Sequence, residues 1–263
     1  MLHVFLIGLL AATVAQTPDT PYGEPWPMHT VDNTSRGADG ARLNDANGDG
    51  RVDIVTPFEE GGRIRAYLHP GPALAHQPWP QREVGRVPKP EDAVFGDLDG
   101  DGVLDVVSCT EGKMQTVFIH WAIQDGTWRT EALPASKGVS RWMFCVPMQV
   151  DGEHGIDLVV GSKHPDGQVA WFRAPEDPKE LAEWERFVIW EASWIMSIIA
   201  VDMDRDDDLD LVITDRKDPE RRGCLWLENP GPGPAQSRPW PEHLIGGRDH
   251  EIMFMDLVLL KTA

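Results

Sequence analysis

Asp97-Leu-Asp99-Gly-Asp101-Gly-Val-Leu-Asp105 decides how the rest of the chain is read. Four carboxylates stand at positions 1, 3, 5 and 9 of one short stretch. The two glycines permit the left-handed backbone that a tight loop needs. An apolar run, Leu104 to Val107, follows at once. Like charges this close repel, so the loop favours a cation. Alternating hard oxygen donors, with Gly at position 6 for the turn, are what Ca²⁺ selects.

The same frame recurs. Asp45-Ala-Asn47-Gly-Asp49-Gly-Arg-Val-Asp53 is loop 1, and Asp97 opens loop 2. Gln149-Val-Asp151-Gly-Glu153-His-Gly-Ile-Asp157 is loop 3, in which the first donor is no longer an acid. Asp202-Met-Asp204-Arg-Asp206-Asp-Asp208-Leu-Asp210 is loop 4. First positions at 45, 97, 149 and 202 set a beat of 52 to 53 residues. A period near fifty is that of a propeller blade. Plain Asp/Gly turns do not account for a four-oxygen pattern kept in three aligned copies. An EF-hand needs Glu at position 12, where Thr56 and Ser108 stand.

A second ladder keeps the same time. Trp26, Trp79, Trp128, Trp184 and Trp240 are each followed five residues later by Val31, Val84, Leu133, Ile189 and Ile245. Each is read as an outer strand with an aromatic anchor. Inner strands are expected at 93–95, 143–146 and 197–201, entering the acidic loops. Apolar strands leaving them are expected at 52–55, 104–107, 156–160 and 209–213. Third strands follow at 64–68, 116–121, 168–172 and 224–227, and one short helix is expected at 178–184. Four short antiparallel strands per repeat make one blade.

The loops and the strands they feed, such as Asp157-Leu-Val-Val-Gly161, resemble the FG-GAP/VCBS repeats, the calcium-binding propeller repeats also found in integrin α-chains. The resemblance covers residues 38 to about 258, although the literal FG and GAP residues are mostly missing. It implies Ca²⁺ held by side chains at positions 1, 3, 5 and 9 and by the carbonyl at 7. The implied ligands are Asp45, Asn47, Asp49 and Asp53, then Asp97, Asp99, Asp101 and Asp105, then Asp202, Asp204, Asp206 and Asp210. That makes about three structural sites, with weak or no metal in loop 3.

The expected fold is therefore all-β, a propeller of four complete four-stranded antiparallel blades plus the start of a fifth at 251–257. Since the resemblance implies about seven blades, the expectation is a truncated ring whose remaining blades or a further domain lie in a longer protein. A five-blade ring closed by the Trp26 strand is the rival. Residues 1–15 read as a signal peptide, 16–37 as an extension carrying an outer blade strand, and 38–263 as the propeller. Val4 to Val14 has the length of a signal-peptide core and Thr13-Val14-Ala15 resembles a cleavage site, although no Lys or Arg precedes them. This places the chain outside the cytoplasm: periplasm, cell surface or extracellular space, with no membrane span once the signal is removed.

The chain holds 43 acids against 24 bases, a net charge of −19, and loops 1, 2 and 4 carry 13 of those acids. Such a surface argues against nucleic acid or anionic lipid as a partner. Three cysteines, Cys109, Cys145 and Cys224, are no disulfide framework. They read as buried packing groups. No nucleophile elbow, P-loop, zinc-protease or dinucleotide motif is present.

The connections opposite the metal loops are mixed in charge. Glu59, Glu91, Asp92, Glu111, Lys113, Arg141, Trp142, Lys163, His164, Trp194, Arg216, Lys217 and His250 gather there as a possible ligand face. Aromatics stack on sugar rings and charges fix hydroxyls or carboxylates. The plain alternative is that loop ends are polar everywhere and the tryptophans pad the interior. The first expectation is a module that binds a glycan or a protein without chemistry of its own. The second is a carbohydrate-active enzyme, of polysaccharide lyase or sugar dehydratase type, with Glu91–Asp92 as an acid pair. The third is an adhesion scaffold.

Overall fold

The computed structural model describes residues 26–123 and 126–258. Their strands form four antiparallel sheets of four strands, each a simple meander. Blade 1 is β1 (Arg42–Asn44), β2 (Asp53–Phe58), β3 (Arg63–Tyr67) and β4 (Gln81–Gly85). Blade 2 is β5 (Pro90–Gly96), β6 (Asp105–Thr110), β7 (Val117–Ala122) and β8 (Trp128–Ala132). Blade 3 is β9 (Arg141–Met148), β10 (Asp157–Lys163), β11 (Gln168–Arg173) and β12 (Glu185–Glu191). Blade 4 is β13 (Ile195–Val201), β14 (Asp210–Asp215), β15 (Gly223–Leu227) and β16 (Glu242–Gly246).

The blades stack face to face in a propeller arrangement, because the strands leaving the acidic loops are apolar on both sides. Side chains alternate along a strand, so neighbours in sequence meet different blades. Val106 packs with Val55, Ile64 and Phe118 between blades 1 and 2. Its neighbour Val107 packs with Leu158, Trp142 and Phe172 between blades 2 and 3. Val159 likewise turns the other way, joining Ile198, Leu211 and Leu225 between blades 3 and 4. Burying one such Val, Leu or Ile side chain stabilises the fold by about 1.5–3 kcal/mol.

Several expectations are corrected. Residues 26–37 form no strand: Trp26 is 93% exposed, and the extension is tied to blade 1 by side-chain bonds and a few single backbone bonds instead. Asp32 accepts from Arg65 Nη1 at 2.5 Å and Tyr67 Oη at 2.6 Å, and the Val31 carbonyl accepts from the Trp79 amide at 3.0 Å. The helix at 178–184 is a single 3₁₀ turn, Leu181–Glu183. Residues 251–258 pair with no strand, although the Met253 carbonyl accepts from Thr214 Oγ1 at 2.7 Å. The outer-strand tryptophans sit at or just before their strands. Trp79, Trp184 and Trp240 each donate from the indole to a carbonyl four to six residues back, locking the preceding turn. The signal-peptide expectation falls on residues outside those described. Among the described residues no helix is long and apolar enough to cross a membrane.

Candidate metal loops and the opposite face

All four acidic loops adopt one backbone. Positions 4 and 6 are left-handed in each: Gly48 and Gly50, Gly100 and Gly102, Gly152 and His154, Arg205 and Asp207. Two loops reach that shape without glycine at one or both positions, so the shape is imposed by what surrounds the loop. The position-9 aspartate imposes it. Asp53, Asp105, Asp157 and Asp210 are all buried at the start of the outgoing strand. One oxygen of each accepts from the position-2 amide: Ala46 at 2.9 Å, Leu98 at 3.2 Å, Val150 at 3.1 Å and Met203 at 2.9 Å. The other accepts from the amide closing the third strand: His69, Ala122, Ala174 and Asn229, at 2.7–2.8 Å. Burial pushes Asp105 up to about 7, with the charges of Asp99 and Asp101 adding to it. Burial likewise pushes Asp157 up to about 6.

Positions 1, 3 and 5 behave differently. Asp97, Asp99 and Asp101 bring carboxylate oxygens within 4.8 Å of one another, as do Asp202, Asp204 and Asp206. In loop 2, Asp97 Oδ2 accepts from the Gly102 amide at 3.0 Å, while Asp97 Oδ1 is buried with no hydrogen-bond partner. An orphaned, buried carboxylate oxygen facing two further carboxylates is a donor set that fits a hard divalent cation. The Lys179 ammonium, reaching over from blade 3, already pairs with Asp99. In loop 1, Asp45 and Asn47 accept from the Asp49 amide and Asp45 also from the Gly50 amide, while Asp49 accepts from the Arg51 amide and pairs with its guanidinium at 2.9 Å.

Loop 3 is filled from within. Gln149 Nε2 donates to the carbonyls of Glu153 at 3.0 Å and Gly155 at 2.7 Å, positions 5 and 7 of the frame. Its Oε1 accepts from the Gly152 amide at 3.2 Å. The amide nitrogen thus faces the carbonyl that the resemblance assigns to a metal. Asp151, at position 3, is held by Arg173 at 2.6 Å.

On the opposite face, blades 1 and 2 bring carboxylate oxygens of Glu59, Glu91 and Glu111 within 4.8 Å of one another. Lys89 pairs with Glu59 at 2.8 Å, and Lys163 pairs with Glu111. Burial, then the Glu111 charge, push Glu91 up to about 8. Burial works against Glu111 too, but the Lys163 ammonium and a hydrogen bond with Glu91 hold it below the usual carboxylate range. The acid partner of Glu91 is therefore Glu111, not its sequence neighbour Asp92. Asp92 lies in the wall between inner strands, where Arg42 grips it at 3.1 and 2.8 Å and the Cys145 amide donates at 3.0 Å.

Trp142 is corrected too: it is fully buried, donates to the Ser136 carbonyl at 3.0 Å and packs edge-on against Phe172. Trp194, in the matching connection of blade 4, is half-buried and carries the cations. Lys163, Arg216 and Lys217 lie 4.7, 5.0 and 5.8 Å from its ring centre. The platform is rigidly mounted. Buried Asp215 accepts from the Ser193 amide at 2.6 Å and the Trp194 amide at 2.8 Å, and the Trp194 carbonyl accepts from the Arg216 amide at 2.9 Å. Lys113, Arg141, His164 and His250 are exposed on this side. Two members of the face escaped the sequence, Lys89 and Glu251, because nothing in the repeat marks them. Glu251 accepts from Arg216 Nε at 2.7 Å and Lys217 Nζ at 2.8 Å.

Fold and loops together define a β-propeller of acidic-loop repeats. Residues 45–108, from the first donor of loop 1 into the strand after loop 2, match the FG-GAP-like repeat family. A search among curated proteins gave no match.

Proposed function

We propose that the chain is an exported, calcium-stabilised propeller module that binds a glycan or protein ligand on the face opposite its acidic loops. The FG-GAP-like repeat and the propeller fold point to a binding module. The observation that carries the ligand face is the mounted Trp194 with Lys163 and Arg216 within 5.0 Å of its ring centre. Backbone groups fix this platform in advance, so a ligand need not order it on binding. Calcium is supported by the orphaned Asp97 oxygen and the clustered carboxylates in loops 2 and 4, and by the donor spacing alone in loop 1. The ion would tie positions 1, 3 and 5 together and leave position 9 to its amides. Export is supported by the apolar run Val4 to Val14. Calorimetric titration with a panel of neutral and acidic oligosaccharides tests the module, with Trp194→Ala expected to abolish binding. Binding that survives this change removes the face from the proposal.

Glu91 and Glu111 favour a second reading, an acid–base pair of a carbohydrate lyase or dehydratase. They are two carboxyls pushed apart in acidity by burial on one side and Lys163 on the other. Turnover of uronate-containing glycans or anhydro-sugars that is lost in Glu91→Gln would establish it. No product at high protein concentration would remove it.

A further inference from the structure

Arg216 and Lys217 already hold a carboxylate. Glu251 spans the two at 2.7 and 2.8 Å, and these hydrogen bonds lower its acidity range as expected for a seated anion. The segment that carries it, residues 251–258, forms no strand pair. The backbone beneath the cations, by contrast, is fixed: Arg216 donates its amide to the Trp194 carbonyl, and the Lys217 amide donates to Ser193 Oγ at 3.2 Å. A cationic pair on an anchored backbone is thus filled by a loosely tied carboxylate beside an aromatic ring.

We infer that Arg216, Lys217 and Trp194 form a carboxylate subsite for a uronate residue of an acidic glycan, and that Glu251 is its internal occupant, displaced when the glycan binds. The inference deepens the ligand-face proposal and rests on it. Guanidinium and ammonium donors recognise a carboxylate whatever carries it. A uronate is favoured over a peptide acid because its ring sets hydroxyl oxygens beside the carboxylate and offers a flat face to an indole.

Calorimetric titration with galacturonate oligomers at low salt tests this. Glu251→Gln is expected to bind about five- to tenfold more tightly than the natural protein, the scale of freeing an exposed pair of ion contacts. Arg216→Gln and Lys217→Gln, each made separately, are expected to weaken binding, and their unfolding midpoints check that each variant folds. Unchanged or weaker binding by a folded Glu251→Gln overturns the inference. Equal binding of a neutral oligosaccharide, indifferent to all three changes, overturns it while leaving the module intact. No binding of any sugar overturns both. Displacement of the oligomer by polyglutamate at matched carboxylate concentration would reassign the subsite to acidic peptides.

Discussion

Loops 2 and 3 share a backbone and differ at the centre. Both turn left-handed at positions 4 and 6, and both hang from a buried position-9 aspartate with two backbone amides. Loop 2 places three carboxylates around a space and leaves Asp97 Oδ1 without a partner. Loop 3 sets the Gln149 amide in that space, bonded to two loop carbonyls, and turns Asp151 aside to Arg173. Two separate tasks are therefore combined in one motif. Position 9 holds the loop through two amides. Position 1 either leaves a buried carboxylate oxygen unpaired, as Asp97 does, or fills the centre with an amide, as Gln149 does.

The hardest test of that division is to remove the shaping group from both loops. Asp105→Ala and Asp157→Ala each strand two buried amides, at about 1–3 kcal/mol apiece. Both should destabilise the protein by about 3 kcal/mol in urea titrations, in calcium or in chelator. A loss confined to Asp105 and to calcium-loaded protein would break the comparison.

Next in size is the ion itself. A ligand at a hundredfold over its Kd adds about 2.7 kcal/mol to the folded state. Scanning calorimetry should show stability rising with Ca²⁺ and falling with chelator. Asp97→Asn should shrink that increment, whereas Gln149→Ala should leave it unchanged. Insensitivity of the natural protein to both Ca²⁺ and chelator would remove the metal from all loops.

A pH effect must be separated from the calcium titration. His120 is fully buried in blade 2 between Ser108 Oγ at 2.9 Å and Thr130 Oγ1 at 2.8 Å, and burial pushes it down to about 3. The unfolded chain binds this proton below about pH 6.5 and the folded chain does not. Stability contributed by the neutral ring is thus full above 6.5 and is lost as pH falls toward 3, by at most about 1.4 kcal/mol per pH unit. Urea titrations across that window should show a shallower slope in His120→Gln. An unchanged slope would remove His120 from the acid response; Asp105 and Asp157, raised in the folded chain, act with the opposite sign.

The smallest effect sharpens the contrast most. Gln149→Asp removes two amide hydrogen bonds and should cost about 1 kcal/mol in chelator. In calcium the same change should add one ion per chain, counted by calorimetry. An unaltered count would mean that position 1 does not decide occupancy.

Much of this was legible early. The 52-residue beat located the loops, and the apolar run after each loop located every strand leaving them to within a residue at its start. Position 9 was legible as a conserved spacing within the chain, but its work was not. The carboxylate that the resemblance makes a ligand also accepts from an amide seven residues back in its own loop and from another 16 to 19 residues on. Trp142 and Trp194 looked equivalent in sequence. One is walled in by Phe172 and Leu158 of its own blade, whereas the other stands beside Arg216 and Lys217. The Trp26 strand failed because its rhythm lacked a partner edge: blade 1 already had four strands.

The sequence by itself determined the repeat, the four blades and the donor types in each loop, because these follow from local spacing and from side chains that alternate between two faces. Only the tertiary structure decided which carboxylates are spoken for, which tryptophan is free and which acid meets which base. Those outcomes depend on neighbours about fifty to eighty residues away, brought into range by the stacking of one blade on the next.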